Sequence, residues 1–182
     1  MTCAIHKTYK TVDFANYLVQ QGFAVVAADH MGHGSSTATN DVRGYFHGGW
    51  FSAVDDVMKL MDIAKERFGD VPYFLFGHSM GSFMVQSFLE KYPCSTSGVI
   101  LCGSNGGQAG LMRIASGLSK ILVSDKNRDL PCDTLQNLGL GAYAKAIPDR
   151  RTDLDWLSYN EDNVRQYLAD PWCGHPNTGG FW

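Results

Sequence analysis

The chain has 182 residues, of which 45% are apolar and 18% charged, and its formal net charge is −3 at pH 7. This length allows one domain with a sizeable apolar core, and no segment approaches the roughly 18 consecutive apolar residues that a membrane helix needs. Lysine and arginine are dispersed along the chain, which argues against nucleic-acid binding.

The first half of the chain alternates between helical and strand patterns. Helices are predicted over residues 12–21, 50–68 and 80–92, and the first two end at Gly22 and Gly69. Short apolar strands are predicted over residues 23–28, 72–76 and 98–102. This alternation predicts an α/β fold, with a mostly parallel sheet that carries helices on both faces.

The pattern changes after the third strand. From Ser104 to Ala169 the sequence indicates helices and loops, including a helix over residues 111–122 and a shorter one before Asp170. A helical insertion at this point is typical of a lid over an active site, and a helical layer packed on the sheet is the alternative. We therefore divide the chain into an N-terminal core (1–103), a helical cap (104–170) and the start of a return to the core (171–182).

One motif indicates chemistry. Gly77-His78-Ser79-Met80-Gly81 matches G-x-S-x-G, directly after a predicted strand and directly before a predicted helix. Such a turn exposes the serine hydroxyl at a helix N-terminus, where the backbone N–H of Met80 can face an oxyanion. The alternative is a glycine-rich turn that only packs. His78 lies inside the turn and cannot bend back onto Ser79, so we expect it to pack or hydrogen-bond beneath the turn.

A nucleophilic serine also needs a histidine base that is oriented by an acid. In α/β enzymes with the G-x-S-x-G motif, the acid and then the histidine follow the serine in the chain. His175 is the sole histidine after Ser79, and we do not expect it to be the base. The aspartates between them belong to the cap-like segment and include Asp149, Asp153, Asp155, Asp162 and Asp170. The triad acid and base are therefore expected beyond Trp182.

Two further features bear on cofactors and compartment. Asp29, His30 and His33 lie in a glycine-rich loop, but three such closely spaced groups rarely surround a metal unaided, so we expect no metal and no cofactor. We expect this loop to shape the rim of the site. The five cysteines are scattered and the N-terminus lacks a signal-peptide pattern, which favours a cytoplasmic protein.

Four segments in matching order resemble the monoacylglycerol lipase, lysophospholipase and serine-aminopeptidase-like branch of the α/β-hydrolases. They are residues 13–18, residues 28–35 with the D-H-x-G-H-G-x-S loop that begins at Asp29, the G-H-S-M-G-S segment at 77–82, and residues 167–174. The resemblance implies a lipase or esterase that cleaves small acyl esters such as monoacylglycerols or lysophospholipids. It also implies Ser79 as nucleophile, an acyl-enzyme, and an apolar acyl pocket under the cap. We expect neither nucleic acid nor a transmembrane segment, and at most transient contact with a membrane surface.

The sequence departs from that family pattern at both ends. Members have an early H-G motif whose loop supplies a second oxyanion donor, and residues 1–5 contain no such pair, although His6 matches the histidine shortly after it. Members also return from the cap to strands that carry the catalytic acid and histidine. We therefore expect a chain truncated at both ends and inactive by itself. Acyl transfer or peptide cleavage on the same scaffold and a non-catalytic binding module are the alternatives. Acyl length, head group and oligomeric state stay open.

Overall fold

The computed structural model describes residues 9–37, 43–106 and 109–181. The chain divides into two compact units, each built from two segments. The first unit comprises Met1–Thr39 and Phe46–Ala109. The second comprises Asn40–Tyr45 and Gly110–Trp182.

The first unit contains a parallel pair of strands with helices packed around it. In chain order its elements are α1 (Tyr9–Gln20), α2 (Trp50–Phe68), β1 (Phe74–His78), α3 (Met80–Lys91) and β2 (Gly98–Cys102). The two strands are parallel neighbours, paired from Phe74 with Gly98 to His78 with Cys102. Because α3 connects them, they form a β-α-β unit. The predicted parallel sheet is confirmed for this pair.

The core of the first unit lies between α2, α3 and β1. Val54 and Val57 on α2 and Met84 and Phe88 on α3 are each at most 3% exposed. Fully burying a side chain of this size contributes roughly 1.5–3 kcal/mol. The apolar residues of α2 thus recur at helical spacing along one face, which we call its apolar stripe, and the burial of this stripe packs α2 against α3.

One predicted strand is wrong. Residues 23–28 form neither helix nor strand, and Phe23 is 53% exposed. The N–H of Phe23 donates to Leu18 O (3.1 Å), back toward the end of α1, instead of to a neighbouring strand. A buried parallel strand needs a hydrogen-bonded neighbour and covered faces, and in the described part of the chain the sheet consists of β1 and β2.

The helix and strand boundaries follow local chemistry. Gly69 adopts φ of 74° directly after α2, and Gly22, separated from the end of α1 by one residue, adopts φ of 87°, as expected for glycines that follow helices. The strand predicted over 72–76 begins two residues later, at Phe74. Pro72 has no N–H to donate to a sheet, and the N–H of Tyr73 donates to the side chain of Ser97, so neither residue donates to a strand.

The second unit consists of helices and connecting loops in its described residues. Its helices are α4 (Ala109–Leu122, which starts at the last residue of the first unit), α5 (Asp133–Gly139), α6 (Gly141–Lys145) and α7 (Glu161–Ala169). An isolated antiparallel bridge between Pro131 and Thr178 is the sole β pairing among described residues of this unit. Among the described residues from 104 to 106 and from 109 to 169, that bridge is the sole β structure, which agrees with the prediction of helices and loops in this region.

The C-terminal residues pack inside the second unit. The side chain of Thr178 is buried, and its Oγ1 donates to Gly44 O at 3.2 Å. The N–H groups of Gly179 and Gly180 donate to Leu130 O (2.9 Å) and Arg128 O (2.7 Å). These contacts join residues 171–181 to the 128–136 region and to residues 43–45. The predicted division at residues 103/104 and 170/171 stays a prediction.

Candidate active site

Ser79 occupies the tight turn between β1 and α3. Its backbone has φ 51° and ψ −120°, a combination that non-glycine residues rarely adopt and that costs roughly 1–3 kcal/mol. The residue is exposed. The predicted exposed serine at a strand-to-helix turn is confirmed, and the structure shows in addition that its backbone is strained.

The close packing beneath the turn explains its first glycine. A methyl group on Gly77 would lie 2.7 Å from Gly81 C and 2.8 Å from Ser82 Cα, which is nearer than non-bonded atoms allow. Ser82 is fully buried, and its Oγ and N–H both donate to Ser79 O, at 2.6 and 2.9 Å. The turn is therefore fixed from below by backbone contact and by two hydrogen bonds.

The end of β2 supports the turn from the side. The N–H of Ser79 donates to Cys102 O at 2.9 Å. Gly103 follows with φ 58°, and a methyl group there would lie 3.3 Å from His78 Cε1. The ring of His78 therefore packs beside the exit of β2.

Met80 is the first residue of α3. Within the part of the chain that the structure describes, its N–H has no hydrogen-bond partner. A free N–H at the start of a helix points away from the helix body, and the helix dipole adds positive potential there. The arrangement can therefore stabilise a developing negative charge next to Ser79.

No histidine is hydrogen-bonded to the Ser79 hydroxyl among the described residues. His175 lies in the second unit, where its Nε2 is 2.7 Å from both Arg43 Nη1 and Pro171 O. Arg43 in turn stacks over Trp172, with 4.7 Å from Cζ to the ring centre. His175 is thus engaged by its own surroundings, and His6 lies outside the described residues.

Four of the five aspartates named from the cap-like segment form local hydrogen bonds or ion pairs. Asp155 accepts hydrogen bonds from Thr152 Oγ1 (2.6 Å) and from the N–H of Arg151 (2.7 Å), and these lower the pKa of Asp155 to about 2. A carboxylate held in this way stabilises its own loop. Of the other four, Asp153 pairs with Arg150, Asp162 with Arg165, Asp170 accepts from the N–H of Trp172, and Asp149 is exposed.

The loop at 29–35 is held together by its aspartate. Asp29 Oδ2 accepts the N–H of Ser35 at 2.8 Å, and a methyl group on Gly34 would lie 2.5 Å from Asp29 Cγ. Burial, and next the neighbouring His33, lower the pKa of His30 to about 4, and its buried Nε2 has no hydrogen-bond partner among the residues that the structure describes. In the described residues no group of three or more His, Cys, Asp or Glu side chains is arranged to hold a metal ion.

Three residues that contribute to this site escaped the sequence analysis: Ser82, Cys102 and Gly103. Cys102 and Gly103 are more than twenty residues from Ser79 and meet it only because β2 pairs with β1. The sequence does show a glycine, Gly103, directly after the predicted strand 98–102, but this pattern does not indicate which residue the glycine contacts.

Comparison with known proteins agrees with these features. The family model described as serine aminopeptidase, S33, matches residues 5–182. The chain is 28% identical over 158 residues to a monoacylglycerol lipase of Mycolicibacterium smegmatis, covering 85% of this chain and 48% of that protein. It is 30% identical over 163 residues to the monoglyceride lipase of Mus musculus, covering 87% and 46%. The chain thus spans about half the length of these curated relatives.

Solved structures give the same result. A thermostable carboxyl esterase from Bacillus coagulans, in complex with glycerol, superposes with a TM-score of 0.81 at 25% identity, covering 97% of this chain and 58% of that one. A monoacylglycerol lipase from Paleococcus ferrophilus superposes with a TM-score of 0.58 at 25% identity, covering 99% and 62%. The predicted α/β-hydrolase fold is confirmed. In the described residues no helix has the length and apolarity needed to cross a membrane.

Proposed function

Because the chain belongs to the serine aminopeptidase S33 family, we propose that it supplies the nucleophile of a serine hydrolase that cleaves carboxylic esters. The observation that carries this proposal is the strained, exposed backbone of Ser79 directly before α3. A glycine would adopt this conformation more readily. A serine held there at the cost of strain is what a nucleophile at the tip of such a turn requires.

The proposed chemistry follows from the atoms around Ser79. Its Oγ attacks the carbonyl carbon of the ester while a base takes the hydroxyl proton, and the carbonyl oxygen becomes negative. The Met80 N–H stabilises that oxyanion, and one such donor contributes roughly 3 kcal/mol in serine hydrolases. The alcohol then leaves with the proton, and water hydrolyses the acyl-enzyme to release the acid and the serine. Among the described residues, no group that could act as the base in these steps is hydrogen-bonded to the Ser79 hydroxyl.

We further propose monoacylglycerol or lysophospholipid-type esters as the substrate class. The names of the relatives support the first of these. Ile114 and Ile121 support an apolar substrate, because they are 71% and 82% exposed on a helix of the predicted cap, 104–170, and offer apolar surface that an acyl chain can contact. Brief contact with a membrane surface would deliver such substrates. The cytoplasm is the proposed compartment, and the four described cysteines are free thiols.

A second candidate is a non-catalytic binding module. It is favoured by one observation, namely that within the described ranges the Ser79 hydroxyl has no hydrogen-bonded base. Peptide cleavage or acyl transfer is a third candidate, since the matching family is described as serine aminopeptidase. Ester hydrolysis, peptide cleavage and acyl transfer all proceed through an acyl-enzyme.

Labelling with a fluorophosphonate probe separates these candidates. The protein as its gene encodes it is treated with the probe beside Ser79→Ala and Ser116→Ala, the second being an exposed serine of α4. We expect the adduct on the peptide that contains Ser79, its loss in Ser79→Ala and its retention in Ser116→Ala. Hydrolysis of a monoacylglycerol, a lysophospholipid and an aminoacyl anilide then ranks the substrates. Ester binding without any adduct at Ser79 would contradict the proposal and support the binding module.

A further inference from the structure

The segment 102–105, which we call the exit segment, leaves β2 beside the proposed nucleophile. The pairing of His78 with Cys102 places Ser79 and Gly103 next to each other at the carboxyl edge of the sheet. The Ser79 N–H donates to Cys102 O, and Gly103 packs against the ring of His78. Any displacement of the exit segment therefore moves a direct partner of the turn.

A glutamine on α3 holds this segment. Gln86 lies seven residues after Ser79, and its Nε2 donates to Ser104 Oγ at 2.8 Å and to Asn105 O at 3.3 Å. Among the described residues, these two acceptors have no other hydrogen-bond partner. The same helix thus starts at the serine turn and, two turns later, holds the strand exit that supports it.

We propose that Gln86 is a positioning residue for Ser79, acting through the exit segment; this inference rests on the proposed function. The side-chain amide fixes Ser104 and Asn105, which keeps Cys102 O in place to accept the Ser79 N–H. The three residues are partly or fully exposed, so water can replace the amide as a hydrogen-bond donor. The consequence of losing Gln86 is therefore a looser turn around Ser79 rather than an unfolded protein.

Hydrogen exchange on the 182-residue chain tests this directly. Gln86→Leu removes the donor, Gln86→Glu keeps the length but cannot donate to Asn105 O, and Gln86→Lys restores a donor. Gln166→Leu on α7 is the control, because that glutamine is exposed and forms no side-chain hydrogen bond in the described part of the chain. We expect exchange in peptides covering 76–82 and 102–106 to be about fivefold faster in the Leu and Glu variants, as for one lost hydrogen bond. The Lys variant and the control should match the wild type.

The reactivity of Ser79 supplies the second measurement. In the protein labelled by the fluorophosphonate, the rate of labelling should fall about fivefold in Gln86→Leu and recover in Gln86→Lys, with an unchanged thermal midpoint. Unaltered exchange at 76–82 in both the Leu and Glu variants would overturn the proposal, as would equal behaviour of Leu and Lys. If the wild type is not labelled at Ser79, the proposed function fails, and the exchange data alone decide whether Gln86 holds the turn.

Discussion

At the scale of single residues, the turn at Ser79 depends on two glycines, because a side chain at either position would meet neighbouring atoms. Gly77 allows the backbone of α3 to pass within contact distance, and Gly103 does the same for the ring of His78. The first of these contacts is local, because Gly77 and Gly81 both belong to the G-x-S-x-G motif. The second joins two separate strands, so local sequence does not reveal it.

We expect Gly77→Ala to lower the free energy of unfolding by at least about 1–3 kcal/mol, the range for inserting a carbon into a packed site. The added methyl would meet the backbone of Gly81 and Ser82, which cannot rotate aside as a flexible side chain can. Urea denaturation measures the effect. Gly106→Ala is the control, since a methyl there meets nothing within 4 Å and should change stability by less than about 0.5 kcal/mol. Equal stabilities for the two variants would contradict this packing.

His30 should make the protein sensitive to mild acid. Burial first, and then His33, lower the pKa of His30 from 6.5 to about 4, while Asp56 and Asp29 oppose the shift. The unfolded chain therefore takes up this proton at higher pH than the folded chain, and stability is lost as pH falls from about 6.5 to about 4. The loss is on the order of 3 kcal/mol.

Urea denaturation at pH 7.5 and at pH 4 measures this loss. The wild type should lose about 3 kcal/mol more than His30→Asn between the two pH values. His47→Asn is the control, because His47 is exposed and its replacement should leave the acid sensitivity in place. An acid dependence that is unchanged in His30→Asn would show that His30 is accessible to protons in the folded state.

At the scale of elements, the sequence predicted those that are specified by their own pattern. The bounds of α2 agree with the prediction because its apolar stripe, its length and Gly69 all act locally. Residues 23–28 have an equally apolar pattern, but a strand also depends on its neighbours, and no ladder partner lies beside Phe23 in the described residues. The same dependence on neighbouring strands limits how much of the site can be predicted from the sequence. The turn could be predicted, whereas the roles of Cys102, Gly103 and Gln86 depend on the pairing of β2 with β1.

Asp155 should stabilise the loop between α6 and α7 in a pH-dependent way. Its hydrogen bonds, first from Thr152 Oγ1 and then from the Arg151 N–H, lower its pKa from 3.8 to about 2. The stabilisation is therefore present above pH 3.8 and is lost as pH falls toward 2. We expect Asp155→Asn to lower the thermal midpoint at pH 6, and the difference from wild type to disappear near pH 2.

Thermal unfolding followed by circular dichroism at pH 6, 4 and 2 provides the measurement. Asp153→Asn is the matched control, because that carboxylate is 85% exposed and pairs with Arg150 on the surface. An exposed pair of this kind contributes little to stability. A midpoint difference for Asp155→Asn that persisted unchanged to pH 2 would show that the carboxylate charge is not its cause.

At the scale of the whole molecule, the proposed nucleophile and the one histidine that follows it in the chain belong to different units. Ser79 lies in the first unit, and His175 lies in the second, close to Arg43 and Pro171. His175 Nε2 lies 2.7 Å from Arg43 Nη1, which can only donate, and 2.7 Å from Pro171 O, which can only accept, so either tautomer of the ring finds a partner within its own unit. The interactions of His175 are therefore those of a structural residue of its own unit.

This arrangement predicts that the 182-residue chain has little or no esterase activity. Removing the histidine from a serine triad lowers kcat by on the order of 10⁶, because the hydroxyl then has no base to take its proton. The Met80 N–H and the strained turn retain some oxyanion stabilisation, but they do not generate an alkoxide at neutral pH. Hydrolysis of a short p-nitrophenyl ester by the purified chain should therefore equal that of its Ser79→Ala variant. If the chain does hydrolyse the ester, the variant His175→Ala shows whether His175 or another group acts as the base. If the wild type turns over and both substitutions abolish it, His175 completes the site, and if only Ser79→Ala abolishes it, another group acts as the base.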